Sequence, residues 1–73
     1  MEKKQILDRL KGWRDVYTKK QEKYQENSPA WKAYEKTIEN LNRGITNVEQ
    51  GKYSVEQLKE NFPYEMSTDL PLS

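Results

Sequence analysis

Three pairs of glutamates, Glu22 with Glu26, Glu35 with Glu39 and Glu56 with Glu60, have the type and spacing that could do chemistry in this sequence. At a spacing of four, each pair shares a helix face, where two carboxylates can relay a proton or present oxygen ligands to a hard cation such as Mg²⁺. Isolated pairs of this kind are also common on solvated helix faces, and a working carboxylate site needs a denser cluster. The chain contains neither histidine nor cysteine. The usual general base, the usual zinc ligands and any disulfide are therefore excluded together. Nucleophilic triads lack their base, and no glycine-rich phosphate loop occurs. The expectation is a protein that is not an enzyme and carries no cofactor or metal.

A second set of residues bears on nucleic acids. Lys3, Lys4, Lys11, Lys19, Lys20 and Lys23 lie close to Trp13 and Tyr17. A phosphate-tracking surface needs a concentrated basic stripe. Here the lysines surround the helix and alternate with Asp8, Asp15 and Glu22. A small nucleic-acid-binding accessory protein that uses this basic first helix is therefore the alternative reading. The net charge of +1 divides unevenly, with +4 on residues 1–25 and −3 on residues 26–73. That asymmetry suits two oppositely charged helices packed side by side. Strong lysine bias over arginine accompanies AT-rich genomes, as in low-GC bacteria and their phages, so a phage-encoded regulator fits the composition.

The elements that would position these groups are helices. Ile6, Leu10, Trp13, Tyr17 and Tyr24, with Lys20 in the remaining slot, alternate steps of four and three across a helix from about Lys3 to Gln25. Ser28 as N-cap and Pro29 at the first helical position start a second helix. Its seam of Trp31, Tyr34, Ile38, Leu41, Ile45 and Val48 continues in register through Gly44, and Gly51 supplies the stop. Ser54 with Gln57 forms a capping box for a short third helix, on which Tyr53 staples to Leu58 and which Pro63 ends near Asn61. Tyr64 to Ser73 reads as an extended tail. The expected fold is all-α: an antiparallel two-helix, coiled-coil-like hairpin with a short third helix, 1–62, followed by the tail, 63–73.

Folding the chain at Asn27 and Ser28 pairs residues whose numbers sum to about 55. Tyr24 then meets Trp31, Trp13 meets Leu41, and Leu10 meets Ile45. One flank of this seam is polar, with Arg14 opposite Asn42 and Gln21 opposite Glu35. The other sets Arg9, Val16 and Lys23 against the small residues Gly44, Thr37 and Ala30. So short a chain has a thin core and needs extra burial. We therefore expect a homodimer through Val16, Ala30, Thr37 and Gly44.

Tyr53, Leu58, Phe62, Tyr64 and Met66 lie beyond the filled seam. Leu58 and Phe62 are expected to fold back over Leu7. Tyr64 and Met66, with Tyr53, are expected to stay available to a protein partner. No apolar run approaches the roughly 20 residues of a membrane span, and Met1-Glu2-Lys3-Lys4 leads directly into the amphipathic pattern, so a cytoplasmic location is expected with no membrane contact. The sequence thus points to a small non-catalytic protein-binding module: a regulator, adaptor or inhibitor.

Overall fold

A computed structural model describes residues 2–71. It contains four helices, α1 (Lys3–Gln21), α2 (Pro29–Glu49), α3 (Val55–Asn61) and α4 (Pro63–Ser67), and no strand among the described residues. Helices α1 and α2 form the antiparallel hairpin, and α4 packs on both α3 and α1. No helix there is long and apolar enough to cross a membrane.

Local chemistry sets each boundary. The Ser28 hydroxyl accepts a hydrogen bond from the Trp31 amide at 3.3 Å, and Pro29 follows at the first helical position. Helix α2 then runs unbroken through Gly44. It ends where the Gly51 amide donates to the Val48 carbonyl and the Lys52 amide to that of Asn47. This Schellman arrangement requires a left-handed residue, and Gly51 provides it with φ of +74°. The Ser54 hydroxyl caps α3 by accepting from the Gln57 amide.

Two boundaries differ from the sequence expectation. Helix α1 stops at Gln21, not near Gln25, and the turn before Ser28 passes through Asn27 at φ +67°. Asparagine tolerates this left-handed conformation better than most side chains. The larger correction concerns the tail, since Pro63–Ser67 is helical, not extended. Proline that ends one helix can also begin the next, because its missing N–H is unneeded in a first turn.

Nine apolar residues form the core: Ile6, Leu10 and Trp13 from α1, Leu41, Ile45 and Val48 from α2, then Leu58, Phe62 and Met66. The last three come from the C-terminal segment: the Phe62 ring lies over Gly44 of α2, and α4 packs along α1, while Leu7 is partly buried against the core as a whole. Toward the turn the seam is aromatic and only half-buried, at Tyr17, Trp31 and Tyr34. The polar flank has the expected register. Arg14 Nη1 donates to Asn42 Oδ1 at 3.0 Å, and Gln21 Nε2 donates to Glu35 Oε2 at 2.9 Å.

Candidate functional site

The turn-side half of the hairpin carries a run of aromatic rings in continuous contact. Tyr24 stacks on Tyr34 at 5.8 Å between ring centroids, and Tyr34 lies 6.1 Å from Tyr17. Tyr17 is 5.5 Å from Trp13, whose ring meets Tyr64 edge-on at 5.4 Å. Each separation falls in the range where the ring quadrupoles attract. Trp13 is buried, but the two ends of the ladder face solvent, with Tyr24 45% and Tyr64 57% exposed. The shortened α1 explains Tyr24: it left the helix before reaching Trp31 and stacks on Tyr34 instead.

The C-terminal segment holds the Tyr64 end in place. Arg9 Nη1 donates to the Thr68 carbonyl at 2.7 Å, and Trp13 Nε1 donates to the same oxygen at 3.3 Å. A cation suits this position because the last carbonyls of a helix carry partial negative charge. The Arg9 pair with Asp69 adds little, since that aspartate is almost wholly solvated. Leu70 lies directly on Gly12, where a Cβ would overlap its Cδ1. Beneath Tyr64, the Tyr17 hydroxyl donates to Glu65 Oε2 at 3.3 Å. Burial pushes the Tyr17 phenol well above its ordinary pKa, and the Glu65 carboxylate adds to the shift.

The residues expected to meet a partner are placed differently from one another. Tyr64 is exposed as expected, and Tyr53 is half-buried against the core. Met66 is a correction: it is 4% exposed and belongs to the core. It lies one helical turn after Phe62, to whose carbonyl its amide is bonded, so both side chains point inward. Phe62 packs inward as expected. On the small-residue flank, Gly44 is buried beneath the Phe62 ring, so this position is closed by the chain itself and not open to a second copy. Val16 packs against the core, and Ala30 and Thr37 are half-buried.

The candidate chemical groups stay dispersed. Glu35 accepts from Gln21, while Glu22, Glu26, Glu39, Glu56 and Glu60 are exposed. Among the described residues no three acidic side chains come together as a metal-binding group. Lys3 donates to the Glu49 carbonyl and Lys11 pairs with the Glu49 carboxylate, so part of the basic set of α1 is used within the hairpin. Sequence reasoning set Arg9 on the flank opposite Gly44 without its bond to the C-terminal segment, and it did not single out Gly12 or Glu65. On α1 the signal is the 9, 12, 13, 17 spacing, which puts Arg9, Gly12, Trp13 and Tyr17 on one face.

These features define a small all-α helical hairpin closed by its own C-terminal helices. The chain matches no family model, no curated protein and no solved structure.

Proposed function

We propose that this chain is a small non-catalytic protein-binding module that engages its partner through the exposed ends of the aromatic ladder, Tyr64 and Tyr24. One observation carries this reading: a solvent-facing tyrosine at each end of five rings in contact, with the Tyr64 end anchored by Arg9 and Trp13. Tyrosine and tryptophan dominate interface energetics because they bury a large rigid area at low entropy cost. A pre-positioned aromatic also loses little freedom on binding. The module acts as a single chain, because Leu58, Phe62 and Met66 supply the burial otherwise expected from a second copy.

Affinity capture from a lysate of the native host, with the wild-type chain and Tyr64→Ala side by side, tests the proposal. The reading requires a protein that the wild-type chain retains at moderate salt and the variant loses. A nucleic acid retained equally by both, and released steeply as salt rises, would favour the basic-helix alternative instead.

A further inference from the structure

A groove of roughly 470 Å³ lies between α2 and α3 and shares no residue with the aromatic ladder. We propose that it binds an extended acidic peptide segment, a second recognition site beyond the one proposed above.

Two rows of carboxamides form its walls. Asn40 and Asn47 come from one face of α2, and Gln57 and Asn61 from one face of α3. All four are exposed. A carboxamide offers donors and an acceptor together, the complement of a peptide unit's C=O and N–H. Facing rows of them suit a main chain lying along the groove. The floor is apolar, with Phe62, Leu58 and Tyr53, so a small side chain can be covered as well.

Charge selects the occupant. Arg43 stands between Asn40 and Asn47 along α2, and Lys52 lies at the Gly51 end of the groove. Among the described residues no carboxylate lines it. The ion pairs among the described residues are Arg9 with Asp69 and Lys11 with Glu49, so neither groove cation has an acidic partner there. A carboxylate entering the groove therefore gains charge-assisted hydrogen bonds without displacing an internal one. Two cations are too few to track a nucleic-acid backbone, whose binding rests on a row of phosphate contacts. The amide walls also have no matching partner on a phosphate strand.

The test is a titration of ¹⁵N-labelled full chain followed by ¹H–¹⁵N spectra, in which side-chain amides give their own signals. Three probes are compared: a capped peptide alternating aspartate with alanine, its asparagine counterpart, and a short oligothymidylate. The proposal predicts that the aspartate peptide shifts the side-chain signals of Asn40, Asn47, Gln57 and Asn61. The asparagine peptide should bind roughly tenfold more weakly, the loss expected for about 1.4 kcal/mol of charge-assisted bonding. Arg43→Gln with Lys52→Gln should weaken binding of the aspartate peptide to about that of the asparagine peptide, roughly tenfold, while the helical circular dichroism is kept. Arg43→Gln alone should also weaken that binding, which covers the case of a double variant that fails to fold. Shifts confined to the lysines of α1, equal response to both peptides, or preference for the oligothymidylate would each overturn the assignment. None of these outcomes depends on Tyr64, so the two proposed sites stand or fall separately.

Discussion

The Phe62 ring packs on the bare backbone of Gly44, so closely that a Cβ there would lie 2.8 Å from Cε2. Together with the Arg9 and Trp13 bonds to the Thr68 carbonyl, this contact ties the C-terminal segment to the hairpin. It also explains why a glycine sits deep inside α2, at a helix-propensity cost of about 1 kcal/mol.

Gly44→Ala and Gly12→Ala should therefore have opposite signs. Both gain up to about 1 kcal/mol of helix propensity. At Gly44 the methyl meets a buried aromatic ring that cannot turn away, and overpacking costs about 1–3 kcal/mol. At Gly12 it meets only the tip of Leu70, a partly exposed side chain that can rotate aside. Thermal melts should show Gly44→Ala lowered and Gly12→Ala unchanged or raised. Adding Phe62→Leu to Gly44→Ala should recover part of the loss, through coupling between contacting residues. Equal gains for both alanines would mean that Phe62 does not rest on Gly44.

Phe62→Ala should cost about 3–4 kcal/mol, as expected for deleting a buried ring. Tyr64→Ala should cost no more than about 1 kcal/mol, since only its edge contact with Trp13 is lost. For a chain of this size each kcal/mol moves the melting temperature by roughly 4–8 °C. Comparable losses for the two would place Tyr64 in the core.

The helical hairpin was legible because every device that shapes it is local. Ser28 and Pro29, the Ser54 cap, Gly51 and the three-four seam announce themselves within a few residues. The register followed from the turn position, as Arg14 with Asn42 and Gln21 with Glu35 show. Helix α4 was not legible because Pro63 reads equally as a stop and as a start. An extended segment after Pro63 has no helical relation between Met66 and Phe62, whereas α4 places them one turn apart. Of the small residues on the flank, Gly44 is closely approached by a large side chain. Sequence spacing could not say that, at Gly44, the visitor was Phe62 of the same chain. The aromatic ladder was hidden for a similar reason: its contacts join three helices and the turn, and α1 ends before Tyr24.

Alkaline pH should weaken the fold through Tyr17. Its folded-state pKa is raised by burial and by Glu65, so folding favours the neutral phenol. The stabilisation is fully present below about pH 10, the ordinary tyrosine value, and is lost progressively as pH rises beyond it toward the folded-state pKa. Denaturant melts from pH 8 upward should show wild type falling relative to Tyr17→Phe above about pH 10. Parallel curves for the two proteins would remove Tyr17 from the account.

Light scattering should give the monomer mass at micromolar concentration, with cooperative unfolding, because the core closes within one chain. A dimer that persists on dilution and dissociates on Ala30→Glu or Thr37→Glu would show that the open part of the small-residue flank seats a second copy.

The most direct test is the binding free energy of the captured protein partner, measured by isothermal titration calorimetry with wild type, Tyr64→Ala and a Lys19→Gln, Lys20→Gln double variant. A ladder-end tyrosine acting as an interface anchor should cost about 2 kcal/mol or more on truncation, roughly thirtyfold in Kd. The double lysine variant should bind nearly as wild type, with little dependence on salt. Unchanged affinity for Tyr64→Ala, alongside a marked loss for the lysine variant, would contradict recognition through the aromatic ladder.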